Sequence, residues 1–494
     1  MKGKFYIYGV YMEWRKGNIN MRISGINPNN QINPNFGHKI MIDLGASSPK
    51  VTAKCLVTTN DGEPLFKKST HLNNTTKGFG NGDSFVRRVD KLIRRTYDET
   101  FERAQQGEFE LPDEEKQLSG VSIFIPGTTM TKGKDDIIAF MPNVRDTKGK
   151  SLTNIDFTNY ENGLKTHQSL KPEEEPLDVS DDFELFVTKD LGGTGLGIAK
   201  VLGEKGMLKN GDYIMGIMTG GGFGSVDLKV KDDRVEIETC ESSSYLTANP
   251  GNGNPQKLGR LGVSVKSHIN HFCNALGIPE LAEDSPLRKA MITAGDARIV
   301  EDNVMYISNR DKELIDTFKG SELFRVNKDK TTSAKTCFEM VDDDPDFALK
   351  MKQARISSVK DYAYAVSLIS INKINDFVNK IILVGPFAHG VNRYVKEHPE
   401  EFSGAAEYHG KKVNGLADLI THEIDNRIES VDLPTSGRLK KLNNVEVICD
   451  DSINISDNTY AGDILLDPEL KFVENRGNWF SFPLNLVQKE DTEE

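Results

Sequence analysis

Residues 187–206 read VTKDLGGTGLGIAKVLGEKG, with glycines crowded between an apolar, strand-like segment and an amphipathic one. Two readings compete for the stretch. One takes Gly193-Thr194-Gly195-Leu196-Gly197 as a loop that cradles phosphate, as in dinucleotide-binding folds. The other takes Asp190, just ahead of the glycines, as the residue that matters. The dinucleotide motif requires Gly-x-Gly-x-x-Gly directly after a strand, with an acid at the end of the next strand for the ribose hydroxyl. The spacing here is Gly-x-Gly-x-Gly, and the following strand, DYIMGIMTGG, ends in Thr and Gly. No Gly-Lys-Ser or Gly-Lys-Thr follows, so a P-loop is excluded as well. Asp190 is left at a strand-to-helix junction, where an aspartate serves either as a helix N-cap or as a general base.

Other strand ends extend the pattern. IMIDLGASS (40–48) sets Asp43 and Gly45 at a turn, with Ser47 and Ser48 as hydroxyl donors. IMTGGGFGS (217–225) sets Thr219, Gly220, Gly222 and Gly224 at a second, and IILVGPFAHG (381–390) sets Gly385 and Ala388 at a third. Glycine at such turns either satisfies turn geometry or exposes N–H groups to phosphate oxygens. An aspartate at the first of these turns can hold Mg2+, directly or through water.

A chain of 494 residues is too long for a single core, so two or more domains are expected. The formal charge of −12 argues against a nucleic-acid or anionic-membrane surface. No apolar run approaches the roughly 20 residues that cross a bilayer, and the first residues do not read as a secretory leader. Five scattered cysteines with no Cys-x-x-Cys pair suit a reducing compartment, and a cytoplasmic location is expected. The histidines and cysteine of HINHFC (268–273) lack a fourth ligand, and helix-surface histidines are the better reading of them.

Residues 1–37 read as an extended Asn/Pro-rich lead-in. Residues 38–182 read as a first α/β lobe, 183–455 as a second, and 456–494 as a C-terminal segment that partly returns to the first lobe and ends in a charged tail. The acidic stretch 167–182 is either a surface loop or the approach to a domain boundary. Within the first lobe, Asn60-Asp61-Gly62 marks a hairpin turn, and a helical pattern from Gly82 stops at Gly107.

The order of these signals resembles the actin-like ATPase and sugar kinase superfamily, and within it the ROK family of repressors, open reading frames and sugar kinases. VSIFIPGTTM (121–130) followed by IAFMPNV (138–144) is similar to that family's Pro-Gly strand end and sugar-contacting Pro-Asn. NKIILVGPFAHGVN (379–392) is similar to its adenosine-side turn, and TSAKTCFEMVDDDPDFALKMKQ (332–353) to the helical stretch before it. The resemblance covers roughly residues 37–465. It implies a two-lobed ribonuclease H-like fold with a central interlobe cleft, binding ATP and Mg2+. The implied activity is transfer of the γ-phosphoryl group to a hydroxyl of a hexose or amino sugar, with Asp190 as general base. By the same resemblance, Asn143, Gly127, Glu241 and Ser244 meet the sugar. Asp43, Gly45, Ser47, Ser48, Thr219, Gly220, Gly222, Gly224, Gly385 and Ala388 meet the nucleotide, and Asp43 meets Mg2+. Homodimers are frequent in the family, and a homodimer is carried over as an expectation.

The chain also departs from the family. Ser244 stands where the Glu-x-Gly-His histidine is expected, and GNGNPQKLGRLG (251–262) replaces the zinc knuckle, so no structural zinc is expected. The first phosphate loop and the glycine-bearing helix after Asp190 are unusual, and those helical glycines signal either close packing or relaxed constraint. The alternative function is therefore a sugar- or nucleotide-binding protein that has lost catalysis. A DNA-binding repressor is disfavoured, because residues 1–37 are too short and too rich in Asn and Pro for a helix-turn-helix.

Overall fold

The computed structural model describes residues 2–7, 10–15, 18–22, 37–47, 50–72, 78–112, 116–131, 137–170, 174–219, 223–240, 247–248, 256–257, 299–300, 303–304, 345–374, 378–403, 411–430, 445–453, 455, 457–467, 469–472 and 479–488. Strands β1 (Lys2–Ile7), β2 (Val10–Arg15) and β3 (Asn18–Arg22) pair as an antiparallel meander within the segment expected to be an extended lead-in. Its alternation of Tyr, Trp and Met with charged residues suits a sheet, but the Asn/Pro-rich run after it dominates the composition of residues 1–37.

The first lobe begins with β4 (His38–Ser47), β5 (Lys50–Thr58) and β6 (Pro64–His71), an antiparallel meander. The turn between β5 and β6 carries Gly62 at φ +86, a left-handed conformation that glycine adopts without strain. Helix α1 (Gly82–Gln105) starts at a capping box, in which the Asn81 side chain accepts from the Ser84 N–H and the Ser84 hydroxyl from the Asn81 N–H. Beyond its end Gly107 sits at φ +78, where the glycine stop was expected. The chain then returns as β7 (Leu118–Ile125), buried at every position, and β7 runs parallel to β4. A small sheet, β8 (Thr128–Thr131), β9 (Ile137–Arg145) and β10 (Ser151–Asp156), and helix α2 (Thr158–Lys165) lead to β11 (Val179–Lys189), parallel to β7. The spatial order is β6-β5-β4-β7-β11.

The second lobe repeats this plan. After helix α3 (Asp190–Glu204), β12 (Tyr213–Thr219), β13 (Phe223–Lys231) and β14 (Arg234–Cys240) form a meander. Helix α4 (Pro345–Ile374) precedes β15 (Lys380–Val384), parallel to β12. Helices α5 (Pro386–Glu397) and α6 (Leu416–Ser430) precede β16 (Glu446–Ile448), parallel to β15. The order β14-β13-β12-β15-β16 matches that of the first sheet. A meander extended by two parallel strands, occurring twice, is the arrangement of the two-lobed actin-like ATPase fold. Because β11 belongs to the first sheet, the chain crosses between lobes at Lys189–Asp190, a little after the 182/183 boundary read from sequence. The C-terminal segment contributes to both lobes. A 3-10 helix (Asn458–Leu466) packs on β4 and β7 of the first, while β17 (Lys471–Phe472) and β18 (Trp479–Pro483) extend the second sheet from β14. Phe480 and Phe482 are fully buried there.

Each lobe has its own apolar core, and a third core joins them. The third is built from Phe124 of β7, Leu196 and Ile198 of α3, Val226 of β13, Ile237 of β14 and Leu465 of the 3-10 helix. Helix α3 lies at its centre, and its glycines are where neighbours come closest. A Cβ on Gly193 would stand 2.5 Å from the Asn458 Cβ and 2.7 Å from the Phe124 ring. On Gly195 it would stand 2.8 Å from Val226, and on Gly203, 2.3 Å from the Val487 carbonyl oxygen. Each glycine costs about 1 kcal/mol of helix propensity relative to alanine, and close packing explains why that cost is borne.

Opposite signs are expected at two helical glycines. Gly193→Ala adds a methyl with no room and should destabilise by about 1–3 kcal/mol despite alanine's better propensity. Gly163→Ala in α2, where the nearest atom is 3.7 Å away, should stabilise by about 0.5–1 kcal/mol. Denaturant unfolding of the two variants checks both.

Candidate active site at the interlobe cleft

Parallel strands in a sheet end on one edge, and ligands bind beyond their carboxyl ends. In the first sheet, Asp43 of β4 and Thr188 of β11 both lie level with Phe124 of β7. Adjacent strands are about 4.8 Å apart, which sets β4 and β11 roughly 10 Å from one another. Asp190 follows two residues after Thr188, as the first residue of α3. Asp43 and Asp190 therefore lie near the same end of the first sheet, with one strand between them, and the Asp43 charge is felt at Asp190.

Asp190 opens α3 rather than preceding it. The N-cap residue is Lys189, in extended conformation. Asp190 is already helical, and its Oδ1 accepts from the adjoining Leu191 N–H at 2.9 Å, with its own backbone N–H also bearing on the carboxylate. The carboxylate thus accepts from one of the unpaired N–H groups of the first turn. It stands at the positive end of the α3 dipole, which favours its charged form, yet it lies largely buried. Burial raises its pKa most, the Asp43 carboxylate raises it further, and Lys189 and the Leu191 N–H oppose both. The result is pushed up to about 7.

Asp43 is held from three sides. Asn458 Nδ2 donates to Oδ1 at 3.1 Å, the Asn458 backbone N–H approaches Oδ2 at 3.5 Å, and Lys54 Nζ lies 3.8 Å from Oδ2. Burial raises the Asp43 pKa, Lys54 and Asn458 act against it, and the neighbouring Asp457 acts with it. Burial would raise Asp457 too, but its ion pair with Lys67 and its hydrogen bonds from Thr459 keep it below the ordinary carboxyl value. Beside this group is an open depression of about 440 Å3 lined by Lys54, Lys67, Lys68, Ser69 and Asp457. A carboxylate offers about four acceptor positions, and these contacts leave some of Asp43's available. Mg2+ takes one or two carboxylates and keeps several waters, so the donor set at Asp43 fits that ion.

The remaining expected residues fall into place unevenly. Gly45 lies exposed on β4, and Ser47 ends the same strand. Gly127 follows β7 and abuts β9, where an added Cβ would lie 2.2 Å from the Phe140 carbonyl oxygen; Asn143 is farther along that strand. Thr219 ends β12, fully buried, with its hydroxyl 2.8 Å from Tyr362 Oη of α4. That hydroxyl is engaged within the lobe, so a phosphate contact at Thr219 would fall to the turn after it. Gly224 admits Leu191, whose Cδ1 would lie 2.6 Å from an added Cβ, and so seats the first turn of α3 on the second sheet. Gly385 follows β15 at φ +97, and an added Cβ would meet Met218 Sδ at 2.7 Å. Ala388 is fully buried, so contact with a nucleotide would fall to Gly385 and its surroundings. Ser48, Gly220, Gly222, Glu241 and Ser244, with His268, His271 and Cys273, lie outside the described residues.

Lys54, Thr194 and Asn458 also belong to the site and were not among the residues expected. Lys54 had a usable signal. The β4–β5 register pairs Ser47 with Lys50 and, counting back along the strands, Asp43 with Lys54. Asn458 had none, being 415 residues from the carboxylate it holds.

No protein-family model matches the chain, and no curated protein matches it in sequence. Solved structures similar to it include the glucokinase from Balamuthia mandrillaris in complex with glucose, at 10% identity and TM-score 0.46, covering 86% of this chain and 92% of that one. A ROK family transcriptional regulator, a homolog of the E. coli MLC protein, is 13% identical at TM-score 0.45, covering 87% and 81%. A ROK family glucokinase from Streptomyces griseus, in complex with glucose and AMPPNP, is 10% identical at TM-score 0.40, covering 86% and 98%. Among the described residues, no helix is long and apolar enough to cross a membrane.

The buried carboxyl gives a pH signature independent of any ligand. Because folding raises the Asp190 pKa from 3.8 to about 7, the native state holds the proton more tightly than the unfolded chain. The resulting stability is fully present below about pH 4 and is lost as pH rises to about 7. Asp190→Asn should therefore melt above the wild type at pH 8, with the gap narrowing progressively below pH 7, as scanning calorimetry will show. An equal gap at pH 5 and pH 8 would contradict the assigned burial.

Proposed function

We propose that this protein is an ATP-dependent sugar kinase that transfers the γ-phosphoryl group to a hydroxyl of a hexose or amino sugar, with Asp190 as general base. The observation that supports the reading is the nearness of Asp43 and Asp190, brought from different elements to one end of the first sheet, where the Asp43 charge bears on Asp190. There Asp190 has a proton affinity matched to neutral pH.

Phosphoryl transfer relies mainly on positioning and charge stabilisation. A sugar hydroxyl attacking the γ-phosphorus must lose its proton, and an ionised carboxylate within hydrogen-bond reach accepts it. A carboxyl near pH 7 is ionised in a substantial fraction of molecules, and is basic enough to take the proton as the O–P bond forms. The start of α3 fixes Asp190 rigidly, and Asn143 of β9 would meet the sugar. Asp43 with the turn after β4, and the turn between β12 and β13, would face the phosphates from the two lobes. Mg2+ held at Asp43 would supply neutralisation of phosphate charge. Lobe closure over the sugar would exclude water and limit ATP hydrolysis.

A second reading keeps the binding and drops the chemistry. Ser244 in place of the expected histidine and the engagement of the Thr219 hydroxyl by Tyr362 favour a sugar- or nucleotide-binding protein without turnover.

A panel of hexoses and amino sugars, assayed for sugar-stimulated ADP release, separates the two. The kinase reading predicts release with at least one sugar, rising with pH around a midpoint near 7. Asp190→Asn should reduce it by at least the 100-fold to 10,000-fold typical of a lost general base. ATP binding with no turnover across the panel would leave the binding protein as the function.

A further inference from the structure

We infer that Asn458 is a positioning residue, which sets the Asp43 carboxylate against the helix that carries Asp190. The inference rests on the kinase reading of the cleft. The 3-10 helix bearing Asn458 is wedged between the lobes, touching β4 and β7 on one side and α3 on the other. Asn458 itself is 7% exposed. One end of its amide, Nδ2, donates to Asp43 Oδ1 at 3.1 Å. The other end, Oδ1, lies 3.3 Å from Thr194 Oγ1 of α3, and Thr194 Oγ1 is 3.4 Å from the Asp190 carbonyl oxygen. The single hydroxyl proton of Thr194 can serve either acceptor. The amide thus spans from the carboxylate on the first sheet to the first turn of the crossing helix.

Only an amide suits both ends. Asp43 needs a donor when ionised, and Thr194 can present one to an acceptor. Aspartate or leucine at 458 has the same reach but lacks the donor. Room for the side chain is made by Gly193, where an added Cβ would stand 2.5 Å from the Asn458 Cβ and 2.8 Å from its Cγ. The glycine beside Asp190 therefore allows Asn458 to enter. A neighbouring Asp457 caps the 3-10 helix through the Thr459 N–H and pairs with Lys67 of β6, which pins the segment to the first sheet.

The test measures Mn2+ binding by electron paramagnetic resonance, with and without ADP, in the full-length wild type, Asn458→Ala and Thr194→Val. Kinase kinetics are taken in parallel. Residues that orient a metal ligand typically account for roughly ten- to hundredfold in metal affinity, and that loss is expected for Asn458→Ala. The Mg2+ concentration for half-maximal rate should rise by the same factor with the sugar KM unchanged. Thr194→Val, which leaves the bonds to Asp43 intact, should keep wild-type Mn2+ affinity and lower kcat. Asn458→Ser, shorter but still a donor, serves if the alanine variant does not fold, and a loss of Mn2+ affinity is expected for it too. Wild-type Mn2+ affinity in a folded Asn458 variant would overturn the positioning role while leaving the kinase reading standing. A wild-type protein that binds no Mn2+ and phosphorylates no sugar would overturn the kinase reading and this inference with it.

Discussion

Helix α3 must touch both sheets at once, and the separation of the lobes follows from how closely it can be approached. On its first-lobe side Phe124 and Asn458 press on Gly193; on its second-lobe side Val226 presses on Gly195. Side chains at these positions would wedge the lobes apart. The third core, which joins the two lobes, depends on that approach, because its other members come from β13, β14 and the C-terminal 3-10 helix packed around α3. Asp190 begins this helix, so the packing that unites the lobes also fixes the carboxylate at the cleft.

Closeness has an electrostatic consequence. Burial and the nearby Asp43 charge both disfavour ionisation of Asp190. Lys54, Asn458 and the end of the α3 dipole offset part of that repulsion. Most of this support falls on Asp43, which has a cation and two N–H groups nearby, whereas Asp190 has the Leu191 N–H and Lys189. This asymmetry sets the two carboxyl groups in different surroundings.

Local signals in the sequence were enough to read much of the fold. The Asn60-Asp61-Gly62 turn, the helix stop at Gly107 and the strand-to-helix junction at Asp190 are set by neighbouring residues, and each appears where its chemistry indicates. The repeated meander followed by parallel strands was legible as two similar lobes. What escaped depends on distant contacts. Asn458 sits in a segment whose composition suggests only a turn, and its role exists because Asp43, 415 residues earlier, lies across from it. Gly224 looked like a phosphate-loop glycine, but its lack of a side chain admits Leu191. Thr219 looked available to a ligand, but Tyr362, from a helix 143 residues later, reaches its hydroxyl. The residue types were right for a nucleotide cleft, and tertiary contacts assigned several of them to its support.

The most direct test of the account is a crystal structure of the protein with Mg2+, a non-hydrolysable ATP analogue and a sugar that stimulates or shifts its melting. The account predicts a sugar hydroxyl within hydrogen-bond reach of the Asp190 carboxylate, in line with a terminal phosphate lying between Asp43 and the β12–β13 turn. A nucleotide bound away from Asp43, or a sugar that leaves Asp190 facing no hydroxyl, would contradict it.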